Sequence, residues 1–239
     1  MLYSSLLLCT LNKDAGPTIV SATFLLLATP AITFLNGIRT DKEPWTEMRT
    51  KDFGPGVGNK PVWLLDNPDV PTTALYLRPK DNNTDRWKMN VSSRFGTDPL
   101  PWNYLFGAMK ALPRSLLYNR DAMQSFALFS EPIIRFVDKL VGATNAMRVD
   151  ITARDAKSGK EETATLRMAH DDLEQCVGLA TAAFALEVAN SMERGSGGAG
   201  LGQPTVPPGV WFPVEMERVA RENILEVVKE GAFVYELGR

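Results

Sequence analysis

The sequence has very little cysteine and histidine: two cysteines and one histidine among 239 residues. Because Cys9 and Cys176 lie far apart and form no cluster with ligand spacing, a disulfide scaffold and a cysteine-based zinc site are excluded. One histidine cannot build a histidine-rich metal centre, so we expect no metal site. Sparse cysteine is typical of a reducing compartment, and we expect an intracellular location, either cytoplasmic or organellar.

The sequence also lacks an excess of charge of one sign. It contains 26 Lys+Arg and 28 Asp+Glu, which gives a formal net charge of −2. No basic surplus is present to neutralise a phosphate backbone, so we expect no nucleic-acid partner. The hydrophobic fraction of 44% and the charged fraction of 23% are those of an ordinary globular protein, which excludes a wholly disordered, collagen-like or coiled-coil chain.

One long stretch without charge runs from Ala15 to Ile38, 24 residues in all. It is long enough to cross a bilayer, but Pro30 divides it and Asn36-Gly37 is a strong turn signal. We therefore favour a buried helix followed by a strand, and membrane association of residues 15–38 is the alternative. The N-terminal residues lack the basic start of a secretory signal peptide.

The pattern of apolar residues predicts strands interleaved with helices. Predicted strands cover residues 2–10, 31–35, 47–53, 61–66, part of 87–95, and 233–237. Predicted helices begin at Pro17 and cover residues 102–111, 120–129, 131–141, 171–192 and the amphipathic stretch 216–228. Pro132 is expected to break the central pair of helices. Residues 193–208, which are rich in glycine and proline, are predicted to be a flexible surface loop.

The clearest local pattern is a β-hairpin over residues 146–169. Apolar and polar residues alternate strictly in both halves, which predicts one buried and one solvated face. Between the halves, Lys157-Ser158-Gly159-Lys160 has the residue types of a turn. Asp171 is expected to cap the next helix, with Glu174 as its capping-box partner. That helix is expected to be central because it is largely apolar. The whole pattern predicts a single α+β domain over residues 1–239, with a mixed or antiparallel sheet packed by helices.

The loop Gly54-Pro55-Gly56-Val57-Gly58 invites comparison with a nucleotide-binding loop. A dinucleotide fingerprint requires a strand before the loop and a helix immediately after it. Here Pro61 and the strand-like VWLL follow, so no helix N-terminus is available to receive a pyrophosphate. We predict a tight turn between two strands.

Five polar residues are candidates for a functional site. His170, at a strand–helix junction, is the candidate catalytic acid or base, and the alternative is a histidine that closes this corner structurally. Arg94 and Arg148 could each bind a substrate carboxylate bidentately, or form structural ion pairs. Asp14 and Thr18 border a helix start whose free backbone N–H groups could bind a substrate anion, or they cap that helix.

Six segments, read in order, resemble the saccharopine dehydrogenase-like oxidoreductase family. They are AGPTIVSATFLLL (15–27), DFGPGVGNKPVWLLDNPDV (52–70), SSRFGTDPLPWNYLFGAM (92–109), MRVDITA (147–153), VGLATAAFALEVAN (177–190) and PPGVWFPVE (207–215). The resemblance implies an NAD(P)-linked oxidoreductase with an N-terminal Rossmann domain followed by an α+β domain. The sequence resembles only that second domain, and the stretch before GPT, which is usually glycine-rich in this family, reads CTLNKDA here.

The resemblance therefore implies the substrate-binding and dimerisation part of such an enzyme, in a truncated form without independent activity. NAD(P) is expected for the full-length family, and no cofactor is expected to bind this chain alone. We expect a small-molecule substrate whose identity the resemblance does not fix, we allow for a homodimer, and we expect an exposed apolar patch where the Rossmann domain would dock. Two other hypotheses stand beside this one: a non-enzymatic membrane- or lipid-associated module that retains the fold, and a stand-alone enzyme with its own cofactor site.

Overall fold

The computed structural model describes residues 2–9, 17–78, 89–141, 144–154, 159–196 and 205–238. Its helices are α1 (Pro17–Leu26), α2 (Asp69–Tyr76), α3 (Pro101–Met109), α4 (Arg114–Leu117), α5 (Arg120–Val141), α6 (Leu173–Ser196) and α7 (Arg218–Val228). Its strands are β1 (Leu2–Cys9), β2 (Ala31–Leu35), β3 (Ile38–Lys42), β4 (Arg49–Asp52), β5 (Asn59–Leu64), β6 (Arg94–Phe95), β7 (Thr144–Arg154), β8 (Glu161–His170) and β9 (Val234–Gly238). A 3₁₀ turn spans Pro213–Glu215.

The strands form three sheets in which the paired strands of the described residues are all antiparallel. The largest sheet has the order β1-β7-β8-β9, a second pairs β2 with β3, and a third has the order β4-β5-β6. The predicted α+β class is thus confirmed, and of the two predicted sheet types the antiparallel one is observed. The predicted hairpin is β7–β8, with Met147 opposite Met168 and Val149 opposite Leu166.

The predicted solvated face of this hairpin is wrong. Asp150, expected on the wet side, is only 5% exposed, whereas Ile151, expected on the buried side, is 42% exposed. The reason is tertiary: residues of the β4–β5 segment cover the face that carries Asp150, with Lys51 bonded to Asp150 and Phe53 packed against Ala146. The opposite face packs on α6 and α7 near its centre and opens into a cavity at Ile151.

Within the apolar run 15–38, the described residues form the predicted helix and strand, and most side chains from Val20 to Thr33 are buried or half-buried. Val20 and Phe24 of α1 lie in a core with Phe106, Met123 and Ala127, and the Phe24 ring lies 5.2 Å from the ring of Phe126. Strand β2 follows Pro30, and Asn36-Gly37 forms the predicted turn. Among the described residues, no helix is both long enough and apolar enough to span a bilayer.

Helix α5 is continuous, so the predicted break near Pro132 is wrong. A proline inside a helix removes one backbone hydrogen bond and costs about 3 kcal/mol. Packing offsets this loss, because Met123 and Ala127 before the proline and Ile134 after it are buried in the same core. The helix is therefore held on both sides of Pro132 by tertiary contacts that a local pattern does not contain.

Two predictions for α6 also need correction. Its N-cap is Asp172 and not Asp171, because Asp172 Oδ1 accepts a hydrogen bond from the backbone N–H of Gln175 at 2.9 Å. The helix is not central: one side packs on the sheet through residues such as Cys176 and Ala183, whereas Leu186 is exposed. The predicted loop 193–208 is helical to Ser196, and residues 197–204 lie outside the described part of the chain.

Candidate functional site

His170, the predicted catalytic residue, is the last residue of β8 and is fully buried. It lies opposite Asn145 of β7 in the register of the hairpin. Neither ring nitrogen has a hydrogen-bond partner in the described structure, and Asn145 Oδ1 has none either. The ring lines neither of the two large cavities described below. Its placement is that of a core histidine, and its catalytic role stays a prediction.

Cys176 lies near this pair at the start of α6 and is buried. Burial raises the pKa of its thiol, and a hydrogen bond with the Asn145 side chain opposes this shift only in part. A thiol in such surroundings stays protonated at neutral pH and is a weak nucleophile. Cys176 is therefore a packing residue of the core formed by α6, α7 and the largest sheet.

Arg148, a predicted substrate ligand, is engaged within the protein. Its Nε donates to Asp150 Oδ1 at 2.8 Å, and its Nη1 donates to the backbone carbonyl of Asp52. Thr165 and Lys51 also donate to the Asp150 carboxylate, at 2.9 and 2.7 Å. Arg148 therefore helps to join β7 to the β4–β5 segment, which is the structural alternative to carboxylate binding.

Arg94, the other predicted carboxylate ligand, is a buried guanidinium on β6. It donates to Ser92 Oγ at 2.8 Å and to Glu47 Oε2 at 3.3 Å. A small cavity of about 70 Å³ beside it is also lined by Lys42 and Arg49. A hydrogen bond from Lys42 is the main cause that lowers the pKa of Glu47, and the charge of Arg94 adds to it. Glu47 therefore supplies a carboxylate to Arg94 from within the chain.

The predicted residues do not form one site. His170 and Arg148 belong to the same hairpin but lie on opposite faces of it. The register places His170 on the face that packs against α6 and Arg148 on the face that β4 and β5 cover. Arg94 belongs to a different sheet. Thr18 is the second residue of α1, and Asp14 lies outside the described residues, so the anion site predicted at this helix start stays a prediction.

Two large apolar cavities lie beside α6. The first, of about 750 Å³, lies between α6 and the segment 206–216, and its walls include Val188, Met192 and Trp211. The second, of about 720 Å³, lies between α2, β7, α6 and α7. Phe184 and Pro213 line both cavities, so the two adjoin. Apolar cavities of roughly 300–1,000 Å³ are the usual size of small-molecule sites.

Among the described residues, Arg221 of α7 is the one basic side chain that lines the second cavity. Its Nε is buried and has no hydrogen-bond partner within the described part of the protein. The sequence analysis missed this residue. Arg221 follows the core residue Ala220 and precedes the core residue Ile224 by three positions, so a positive charge at the edge of the apolar stripe was the available signal.

The Gly54–Gly58 loop does not have the surroundings of a dinucleotide-binding loop. The Gly54–Gly58 loop is the predicted tight turn, with positive φ at all three glycines, and it leads into β5 and not into a helix. Residues near β9 also approach two of its glycines, because a Cβ on Gly54 would lie 2.9 Å from Val234 Cγ1 and one on Gly56 would lie 3.2 Å from the Phe233 ring. No pyrophosphate can approach the backbone from that side.

The part of the chain that the structure describes contains no group of three or more histidine, cysteine, aspartate or glutamate side chains placed to hold a metal ion. Neither a protein-family model nor a curated protein matches this sequence. The residues that line the two cavities are therefore the main guide to function.

Proposed function

We propose that this chain is the substrate-binding part of a saccharopine dehydrogenase-like, NAD(P)-linked oxidoreductase, and that it has no independent activity in this form. The observation that carries the proposal is the convergence of the segments that resemble the family. Of the six, five contribute to the walls of the two adjoining cavities.

The two closing segments face each other across the first cavity. Phe184 and Val188 come from VGLATAAFALEVAN, and Pro207, Trp211 and Pro213 come from PPGVWFPVE. The three other segments meet at the second cavity through Asn67, Ser93 and Val149, which belong to 52–70, 92–109 and 147–153. Segments distant in sequence thus build one continuous apolar region, as expected of a binding site carried by a fold.

In this proposal NAD(P) supplies hydride chemistry from a coenzyme-binding domain that the described residues do not contain. These residues hold the substrate and keep water from its apolar part. The proposal also requires a surface on which the coenzyme-binding domain docks. Helix α5 offers one: Phe129, Ile133, Phe136 and Leu140 recur at helical spacing, and each is between 51% and 73% exposed.

The test combines coenzyme binding with domain association. NADPH is titrated to about 1 mM, the upper range of ordinary enzyme affinities, and quenching of tryptophan fluorescence is followed. We expect no quenching by this chain alone. We also expect association with a separately expressed Rossmann domain of a saccharopine dehydrogenase-like protein, lost in Phe136→Asp and kept in Leu186→Asp, a matched exposed position on α6.

NADPH binding by the chain alone would favour the stand-alone enzyme instead. Failure of the two domains to associate, with a folded chain, would remove the support that α5 gives to the proposal. Loss of association in both variants would show that α5 is not the specific surface.

The same exposed apolar residues of α5 favour a second candidate function, a non-enzymatic membrane- or lipid-associated module. Their exposed rings lie on the same helix as Lys139, and a basic residue beside an apolar stripe favours an anionic lipid surface. Flotation with vesicles that contain phosphatidylserine tests this candidate. Flotation lost in Phe136→Asp would support it, and a wild-type chain that stays in the soluble fraction would contradict it.

A further inference from the structure

We infer that the second cavity binds a small molecule with an apolar body and a single carboxylate, and that Arg221 binds this carboxylate. The inference goes beyond the proposed function, because it concerns the ligand class of one cavity and holds whether or not a coenzyme-binding domain is present. It rests on the size and polarity of the cavity and on the buried Nε of Arg221, which has no hydrogen-bond partner among the described residues.

The cavity fits an apolar body. Val149 and Ile151 of β7, Phe184 of α6, and Ile224 and Leu225 of α7 supply its walls. At about 720 Å³ it is large enough for a ligand of a dozen or more non-hydrogen atoms, since cavities of roughly 300–1,000 Å³ hold drug-sized molecules. Transfer of such a body from water is favoured by the hydrophobic effect alone, so apolar contacts supply affinity and the polar groups supply orientation.

Arg221 is placed to bind the carboxylate of the ligand. Its Nε is buried in the apolar wall with no hydrogen-bond partner, and no ion pair to an acidic side chain is found for it in the described structure. By contrast, Arg218 on the same helix is paired with Glu222 at 2.7 Å, and Arg148 is paired with Asp150 at 2.8 Å. A buried, unsatisfied guanidinium N–H is costly. A carboxylate satisfies it best, because its two oxygens match the planar fork of arginine.

The other polar groups of the cavity give the ligand a direction. Asn67, Ser93 and Thr73 are neutral and can accept or donate hydrogen bonds. Asp69 is the one acidic residue that the described part of the chain contributes to the lining, and it is exposed at the start of α2. Its charge repels an anion, so it disfavours the reverse orientation and leaves Arg221 as the place for the carboxylate.

Isothermal titration calorimetry of the intact chain with decanoate, decanol and decylamine tests the inference. We expect decanoate to bind more tightly than decanol and decylamine. Loss of a hydrogen-bonded charge partner lowers affinity by roughly tenfold to a hundredfold, so we expect Arg221→Gln to weaken decanoate binding by that factor and to leave decanol binding unchanged. Arg218→Gln is the matched control on the same helix and should bind decanoate like the wild type.

A second variant keeps the test decisive if Arg221→Gln does not fold. Residue 225 lies one helical turn after Arg221 and lines the same cavity. Leu225→Glu places a carboxylate within reach of the guanidinium, and we expect it to compete with decanoate and to weaken its binding at least tenfold without lowering the melting temperature. Equal affinity for decanoate and decanol, tighter binding of decylamine, or equal loss in Arg218→Gln would each overturn the inference. None of these results depends on NADPH binding or domain association.

Discussion

Lys51 Nζ of β4 lies 2.7 Å from Asp150 Oδ2 of β7, and this ion pair links the third sheet to the largest one. The Asp150 carboxylate also accepts hydrogen bonds from Thr165 Oγ1 at 2.9 Å and from Arg148 Nε at 2.8 Å. Burial opposes ionisation of Asp150, but these three donors outweigh it and hold the pKa of the carboxyl below its ordinary value. The ionised carboxylate of Asp150 thus connects the two sheets.

Replacement of Asp150 by asparagine tests how much these ion pairs contribute to stability. It leaves Lys51 and Arg148 without their shared partner in a partly buried place. We expect the free energy of unfolding to fall by about 2–4 kcal/mol, because breaking one side of a buried, hydrogen-bonded pair is strongly destabilising. Urea unfolding measures the change. Asp41→Asn, which breaks the exposed pair with Arg39, is the control and should unfold like the wild type.

The pH dependence of stability follows from the lowered pKa of Asp150. A carboxyl whose folded-state pKa is depressed stabilises the protein above its unfolded pKa of about 3.9, and this contribution is lost as the pH falls through the folded pKa. We expect the wild type to exceed Asp150→Asn in melting temperature by a constant margin above about pH 5 and by a shrinking margin below about pH 4. A margin that grows towards acid pH would contradict the assigned direction of the shift.

Local sequence patterns predicted those strands and turns whose residue types or spacing are distinctive by themselves. The hairpin β7–β8 follows from strict alternation, and the turn at Gly54–Gly58 follows from glycines that adopt positive φ. Packing decided the cases that failed. Pro132 sits inside α5 because residues on both sides of it enter one core, and Asp150 is buried because Lys51, about one hundred residues earlier in the chain, bonds to it.

The candidate site could not be predicted for the same reason. Its walls come from α2, β7, α6 and α7, which lie far apart in sequence, and no local pattern reports that they meet. Arg221 has the sequence context of an ordinary polar residue on an amphipathic helix. Only the cavity beside it and the lack of an acidic partner in the described structure distinguish it from Arg218.

The close approach of Gly54 to β9 gives a third prediction. A Cβ at this position would lie 2.9 Å from Val234 Cγ1, in addition to the positive φ of 95°. We expect Gly54→Ala to lower the free energy of unfolding by about 2–4 kcal/mol, the sum of backbone strain and overpacking. Gly58→Ala is the matched control, because its φ of 71° is also positive but its Cβ would meet no atom within 4 Å. It should lose only about 1 kcal/mol. Equal losses in the two variants would show that the contact with Val234 does not matter.

The buried His170 gives the last prediction, which separates a structural ring from a functional one. Both ring nitrogens are desolvated without a hydrogen-bond partner in the described residues, so the ring contributes volume and no polar bond. His170→Leu, which has similar volume, should therefore change the free energy of unfolding by less than about 1 kcal/mol, because removing unsatisfied polar atoms costs little. His170→Ala should lose about 2–4 kcal/mol through the cavity that it leaves. Thermal and urea unfolding of both variants measure these changes. If His170→Leu loses as much stability as His170→Ala, the imidazole makes a polar interaction that the packing of the ring does not explain, and its role as acid or base gains weight.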